Sequence, residues 1–513
     1  MVTFFVFVLL NKKKFLKLIC FVLIRVCAMN ENNHSILDLF FNPKSVAVIG
    51  ASHNPNSLGH ITFKNFADNK KSGLYKGELY PVNIKGGEIL GYKVYKSVLD
   101  IPGDIDLGVI IVPAKFVPNV MEDCGKKGIK AVIIISAGFS EVGNVELEQR
   151  VLQIARKYGI RIIGPNGLGV TDVYSGVDTT FLPYEKQTHD GRMLPSSPKP
   201  KQGYMAFLSQ SGSFGVAILD YMIGEDMGIT KFVSYGNQVD VDDTDLIEYL
   251  EKDDRTKAIL IYAESIKHGR KFVEVASRVS KKKPIIILKS GRTSAGARAT
   301  ASHTASVAGS DDLYEAAFKK AGCIRANTME EMIDYAKALI YQPPAKGRNI
   351  AILTDGGGAG IVAADTAELH GLAIKPLPER VLEKFKELQK EGVLPTFATF
   401  SNPVDITGNA DAEMYRASAE VLLGDESIDG MILILLHHPP RVDPDIAQVM
   451  IKTIRKYNKP VTVCDIGSLD YARYIREELN KAKIPAYPTP ERAAKAMVAL
   501  VKYGEYLKKQ NCL

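Results

Sequence analysis

One histidine, His303, sits inside a run of small residues, Gly291-Arg-Thr-Ser-Ala-Gly-Ala-Arg-Ala-Thr-Ala-Ser-His-Thr-Ala-Ser306. An imidazole can attack as a nucleophile and carry a transferred group covalently. No bulky neighbour is there to wrap the ring into a core. A loop of this composition can therefore bring it close to a phosphate or to another backbone. The plainer reading is a surface loop with an incidental histidine. A partner for the ring is available in Glu264, which ends the apolar run Ile261-Tyr-Ala-Glu264. A carboxylate bonded to one ring nitrogen fixes the tautomer and leaves the other lone pair free for attack. An N-cap or surface carboxylate is the competing reading.

Two turns offer backbone N–H groups to an anion. Phe207-Leu-Ser-Gln210-Ser211-Gly212-Ser213 ends an apolar run and opens a helical pattern, which Ser209 or Ser211 can cap. A serine-hydrolase elbow needs glycine two places before its serine, and Ser209 stands there relative to Ser211. A phosphate or carboxylate resting on free N–H groups is therefore preferred to a nucleophilic serine. Asp355-Gly356-Gly357-Gly358-Ala359-Gly360 repeats the strand, small turn and helix start further along. Two such helix N-termini could face one anion, each contributing about 0.5–2 kcal/mol.

A third turn, Gly50-Ala51-Ser52-His-Asn-Pro-Asn56-Ser-Leu-Gly59, resembles a dinucleotide fingerprint without its second glycine. The next strand ends in Asn83 with Lys85 behind it, where an NAD site wants an acid for the ribose hydroxyl. Lysine suits a phosphorylated ribose, so NADP or coenzyme A fits and NAD fits poorly. A Rossmann-like domain that binds nothing is the alternative. Val112-Pro113, Ser136-Ala137-Gly138 and Gly164-Pro-Asn166-Gly167 follow further strands and fall on the same rim. Asp240, Asp242, Asp243 and Asp245 read as acids at a helix N-terminus rather than metal ligands. His437 and His438 follow a buried strand with no third ligand in view, so no metal site is expected.

The elements that position these groups alternate strand and helix along the whole chain, the pattern of α/β domains with parallel sheets. Three doubly wound domains are expected, at 29–172, 173–341 and 342–513. Strands are expected at 45–50, 77–83, 107–112, 131–136 and 161–164 in the first domain. The second has them at 204–208, 229–233, 258–262 and 284–289, and the third at 349–353, 373–376, 430–436 and 460–464. Polar 187–203 reads as a loop or linker, 342–348 as a Pro/Gly linker, and 491–508 as a closing helix. At 513 residues, 46% hydrophobic and 24% charged, the composition is that of a globular protein.

The net charge of +7 is inflated by residues 1–28, which carry Lys12, Lys13, Lys14, Lys17 and Arg25 and no acid. Without those five the balance is +2, which gives no case for nucleic acid or a membrane surface. No uncharged run in that leader is long enough to span a bilayer; it reads as a mis-called start ahead of Met29, or as a cleaved signal. Six scattered cysteines without CxxC spacing fit reduced thiols and a cytoplasmic location.

Taken in order, these motifs resemble the α subunits of ADP-forming acetyl-CoA synthetases, in the succinyl-CoA synthetase superfamily. The match spans about 35–505 and rests on Gly50–Gly59, Gly164-Pro-Asn166, Gln210-Ser-Gly212, Glu264, Ser302-His303-Thr304 with Gly309, Asp355–Gly360 and Asn402-Pro-Val-Asp405-Ile-Thr-Gly408. The resemblance implies a Rossmann-like CoA-binding domain followed by two flavodoxin-like ligase domains. It implies that acyl-CoA and inorganic phosphate give an acyl phosphate and CoA. The phosphoryl group then passes to His303, held by Glu264, and on to ADP with Mg2+. Asn166, Gln210, Ser211, Gly212, Gly357, Gly358, Ala359 and Gly360 would hold the phosphate. Gly50, Ala51, Ser52, Asn56, Lys85, Val112, Pro113, Ser136, Ala137 and Gly138 would hold CoA. No ATP-grasp region is found, so nucleotide would bind mainly on a separate ATP-grasp β subunit, as α2β2, with a small carboxylic acid as the other substrate. The alternatives are an aryl- or branched-chain acyl-CoA ligase subunit of the same family and a non-catalytic CoA-binding regulatory protein.

Overall fold

A computed structural model describes residues 36–304, 310–442 and 445–513, with backbone alone at 301–304. The leader 1–28 and Gly309 lie outside the described residues. The first sheet contains β1 (Ser45–Ile49), β2 (Glu78–Val82), β3 (Leu107–Ile110), β4 (Ala131–Ile134) and β5 (Arg161–Ile163), in the order β2-β1-β3-β4-β5. All its pairings are parallel. Helices α1 (Leu58–Lys71), α2 (Val117–Lys127) and α3 (Val145–Tyr158) belong to it. β1, β3 and β4 are buried along their whole length, which is why they read as unbroken apolar runs.

The second sheet contains β6 (Gly169–Asp172), β7 (Val177–Asp178), β8 (Gln202–Ser209), β9 (Ile229–Ser234), β10 (Ala258–Ala263), β11 (Ile285–Lys289) and β12 (Ile324–Ala326). Its order is β12-β11-β10-β8-β9-β6-β7, and it is mixed: β6 runs antiparallel to β9 and β7 antiparallel to β6. Residues 169–172, placed by sequence at the end of the first domain, thus bond to the second sheet. Glycine and β-branched residues at 169–173 mark a strand, but nothing local says which sheet it joins. The helices are α4 (Gly212–Gly224), α5 (Asp243–Glu251), α6 (Gly269–Val279), α7 (Ser294–Thr304), α8 (Asp311–Ala321) and α9 (Met329–Tyr341). The expected loop at 187–203 includes half of a small hairpin, Glu185–Gln187 with Met193–Pro195.

The third sheet contains β13 (Ile350–Thr354), β14 (Val404–Asp405), β15 (Gly430–Leu435), β16 (Val461–Asp465) and β17 (Ala486–Tyr487), ordered β14-β13-β15-β16-β17 and parallel. The expected strand at 373–376 is reduced to one bridge between Ala373 and Asn349. Its helices are α10 (Gly357–Leu369), α11 (Glu379–Lys390), α12 (Ala412–Gly424), α13 (Ile446–Ile454), α14 (Asp470–Lys481) and α15 (Pro490–Lys509).

Each sheet reverses its winding beside its first long strand: at β1/β3, at β8/β10 and at β13/β15. Open α/β sheets hold ligands outside the carboxyl ends at such points. Two seams set these rims relative to each other. Thr62, Asn65 and Asn69 lie on one buried face of α1 and bond to the carbonyls of Thr180 (from Thr62 at 3.3 Å and Asn65 at 2.9 Å) and Gly176 (from Asn69 at 2.9 Å). Between the second and third domains, α15 packs on α9, α10 and β16. There Arg492 grips Asp334 at 2.8 and 2.7 Å and reaches Glu225 at 3.2 Å.

Candidate functional site

The β1/β3 switch point opens into a cleft of about 920 Å³ that continues to the start of α4. Gly50, Val112, Pro113, Ser136 and Ala137 line it from the first domain, Asn166 from the chain leading out of β5, and Gln210, Ser211 and Gly212 from the second domain. These nine expected residues share one space. Ala51, Ser52, Asn56, Lys85 and Gly138 are not among its lining. Ser52 and Asn56 shape the turn into α1: Ser52 Oγ accepts from the Asn54 N–H at 3.1 Å, and the Asn56 N–H donates to Asn54 Oδ1 at 3.1 Å. The Asn83 side chain donates to the Ala51 carbonyl at 2.7 Å and accepts from the Lys85 N–H at 3.0 Å, leaving Lys85 exposed at the rim.

The turn after β1 has no room for side chains. Gly50 has φ +104°, and a Cβ there would lie 2.0 Å from the Ile111 carbonyl oxygen; one on Gly59 would lie 2.0 Å from the Gly50 oxygen. This packing presses α1 onto the strand end and leaves the Ser57-capped N-terminus open to the cleft. Gly59→Ala is expected to lower stability by about 1–3 kcal/mol and to weaken CoA binding. Thermal unfolding and calorimetric titration with CoA check both. Wild-type values in both would refute the close-approach role.

Several lining residues escaped the sequence reading. Phe181 and Leu182 close one side of the cleft. They are held there by the bonds from α1 to the 176–180 segment. The signal was present as three polar residues at helical spacing on an otherwise apolar face, Thr62, Asn65 and Asn69, all buried.

At the β8/β10 switch point, Ser211 is the N-cap of α4 and its hydroxyl accepts from the Phe214 N–H at 3.3 Å. Gln210 Oε1 accepts from the backbone N–H groups of Glu264 and of Ser265, the latter at 2.9 Å. Gln210 therefore ties the strand end bearing Glu264 to the anion-binding turn. Glu264 is 8% exposed, with the Tyr262 hydroxyl 3.5 Å from its carboxylate. Lys289, on the neighbouring strand, was not foreseen because it ends a run that reads as core. It is buried, donates to the Ser290 carbonyl and lies 4.4 Å from the Tyr314 ring centre. Burial lowers its pKa from the ordinary lysine value.

His303 lies on α7, so its backbone is helical where a loop was expected. Alanine-rich sequence has high helix propensity, and that outweighed the reading of small residues as loop. The His303 side chain lies outside the described residues. α7 packs against the first-domain turn Ser140–Val142.

Gly357, Gly358, Ala359 and Gly360 form the first turn of α10, at the β13/β15 switch point. Gly356 is the N-cap and no side chain caps the helix, so its leading N–H groups are left for an anion. Two carboxylates stand beside this end. Asp405 Oδ2 lies 2.9 Å from where a Gly357 Cβ would be, and Asp355 accepts from the Leu436 N–H at 3.1 Å. Burial pushes the Asp355 carboxyl up to about 6. None of Gly357–Gly360 is among the lining of the first cleft.

Asp240, Asp242, Asp245 and His437 have structural partners, while the buried Asp243 keeps one carboxylate oxygen without a hydrogen bond. Asp242 caps α5, while Asp240 and Asp245 bind Arg161 at 2.8 and 2.6 Å across the first seam. His437 Nδ1 lies 2.7 Å from Asp465, and its ring stacks on His438 at 4.1 Å. Among the described residues no group of three or more His, Cys, Asp or Glu is arranged to hold a metal ion.

Residues 44–172 match the CoA binding domain family, 202–339 the succinyl-CoA ligase like flavodoxin domain, and 350–506 the ligase-CoA domain. The chain is 44% identical to the ADP-forming acetate–CoA ligase I subunit alpha of Pyrococcus furiosus, over 93% of this chain and 99% of that one. It is 42% identical to the ADP-forming acetate–CoA ligase of Methanocaldococcus jannaschii, over 90% of this chain but 62% of that longer one. Among solved structures it superposes on acetyl-coenzyme A synthetase 1 of Ca. Korarchaeum cryptofilum in complex with phosphate and ADP. The TM-score is 0.82 at 39% identity, covering 92% of this chain and 98% of that one.

Proposed function

Because the chain belongs to the family of ADP-forming acetate–CoA ligase α subunits, we propose that it interconverts acyl-CoA, ADP and phosphate with a carboxylic acid, CoA and ATP. One observation carries the reading: the glycine-crowded turn after β1 and the N-terminus of α4 open onto the same cleft. The first suits the phosphates of CoA, the second the phosphate that attacks its thioester.

In this reading phosphate, held by Gln210, Ser211, Gly212 and Asn166, attacks the acyl carbonyl. The carbon–sulfur bond breaks, and the thiolate leaves and takes up a proton. The resulting acyl phosphate transfers its phosphoryl group to His303, releasing the carboxylate. Glu264 holds the imidazole in its nucleophilic tautomer. ADP then takes the phosphoryl group from His303 and the free imidazole returns. Each step relies on positioning and on neutralising phosphate charge, which helix N-termini supply. The N-terminus of α10 serves as the second such cradle along the phosphoryl path. Nucleotide and Mg2+ sit mainly on a partner ATP-grasp β subunit in an α2β2 assembly. In support, the Methanocaldococcus relative runs on well beyond the matched part. We place the enzyme in the cytoplasm. Its four described cysteines are free, and among the described residues no helix is long and apolar enough to cross a membrane.

The test is a half-reaction without nucleotide. The purified chain, given acetyl-CoA and labelled inorganic phosphate, is expected to release free CoA thiol and to take up acid-labile, alkali-stable label. Release of thiol without label, or neither, would overturn the assignment.

A further inference from the structure

The turn after β9 carries Asn237, whose side chain crosses to the first domain. Its amide nitrogen lies 3.1 Å from Ser140 Oγ, 2.7 Å from Glu141 Oε2 and 2.8 Å from Glu148 Oε2. Its amide oxygen accepts from Asn166 Nδ2 at 3.3 Å. The backbone is fixed as well: the Asn237 N–H donates to the Pro165 carbonyl at 2.9 Å, and its carbonyl accepts from Lys267 Nζ at 2.8 Å. One residue thus touches both the Asn166 turn in the cleft and the Ser140–Val142 turn. That second turn is the one packed against α7, which carries His303.

The chemistry of this point is narrow. Two carboxylates converge on one amide group, and like charges this close need a donor between them. Glu148 is 6% exposed, so water replaces that donor poorly. An amide satisfies both carboxylates and still offers its oxygen to Asn166. No other neutral side chain of that size does both.

We propose that Asn237 is a positioning residue for the reaction, locking the first domain's rim to the second domain so that Asn166 and the His303 helix address the same cleft. This rests on the roles assigned above to Asn166 and His303. The charged groups around it are Glu141 and Glu148 from the first domain and Lys267 from the second, with Asp242 and Asp243 close enough to act on Lys267.

The experiment uses the nucleotide-free labelling reaction on the full chain, with the wild type as reference at each pH. Asn237→Asp places a third carboxylate in the cluster. Its labelling rate is expected to fall about tenfold near pH 8 and to recover to within about threefold near pH 6, as a shared proton relieves the repulsion. Adding Glu148→Gln to that variant is expected to restore the rate near pH 8. A side chain that only supported the fold would shift the melting temperature without this pH signature or this rescue. Asn237→Asp tracking the wild type at both pH values, or a loss unchanged by pH and by Glu148→Gln, overturns the proposal. If Asn237→Asp does not fold, Asn237→Ala carries the test: a wild-type labelling rate and KM for CoA overturn it, and a raised KM with slower labelling supports it. A wild type that takes no label fails the assigned function instead, which keeps the two failures apart.

Discussion

His303→Ala is expected to take no covalent phosphate from acyl-CoA and labelled phosphate, and to lose ADP-dependent turnover by at least about a thousandfold. The reason is chemical rather than structural. A phosphoryl group that travels from an acyl phosphate to ADP through the protein needs a nucleophile that can hold it, and alanine has none. The substitution suits the local structure, because α7 already contains several alanines and alanine favours helix. Thermal stability should therefore stay close to that of the wild type, so lost label would report chemistry. Release of CoA thiol should persist at a reduced level, since the acyl phosphate forms before His303 acts. The result that would sink the assignment is label surviving in the variant. His437 is the residue to which it would then be traced. Its ring is held by Asp465 at 2.7 Å, at the carboxyl ends of β15 and β16.

Arg492→Ala is expected to cost about 3–5 kcal/mol, the penalty for stranding a buried charge. Arg492 sits on α15 and its partners Asp334 and Glu225 sit in the second domain, with side chains 9%, 3% and 22% exposed. Burial pushes the Asp334 carboxyl up to about 6 even with the guanidinium alongside. Removing that partner raises it further. A carboxyl whose folded pKa exceeds its unfolded value gives stability that is present at low pH and lost as pH rises through the folded pKa. The difference between variant and wild type should therefore narrow as the pH is lowered toward about 6. Lys495, 3.0 Å from Glu331, remains as a weaker tie across the seam, while Lys337, 2.9 Å from Glu225, pairs with it inside the second domain. Denaturant unfolding followed at two pH values checks this. A loss below about 1 kcal/mol would show that the seam does not depend on Arg492.

Strand positions were legible where both faces are buried, as in β1, β3, β10 and β15, because continuous apolar runs bounded by charged residues, proline or glycine have few other readings. Short strands such as β14 and β17 were not, since two residues carry no periodicity. The turns at Gly50, Gln210 and Gly357 were legible because crowding and helix starts leave local marks. Phe181, Leu182, Lys289 and Asn237 were not. Each acts through contacts distant in sequence, and in a linear reading each looks like ordinary core or ordinary turn. The helical state of α7 was misread for a related reason: small residues serve close-packed helices as readily as loops.

The antiparallel strand β6 and the segment after it have a consequence for the ancestry of such chains. The wall of the first domain's cleft at Phe181 and Leu182 comes from polypeptide that has already joined the second sheet. A recombination point or gene split anywhere between 164 and 202 would hand one fragment a cleft without its wall, or a sheet without its edge. These two units should therefore be inherited together. The 342–348 linker, which leaves the second sheet complete on one side and starts the third on the other, divides no sheet and no cleft wall, although the Arg492 seam ties the units it joins.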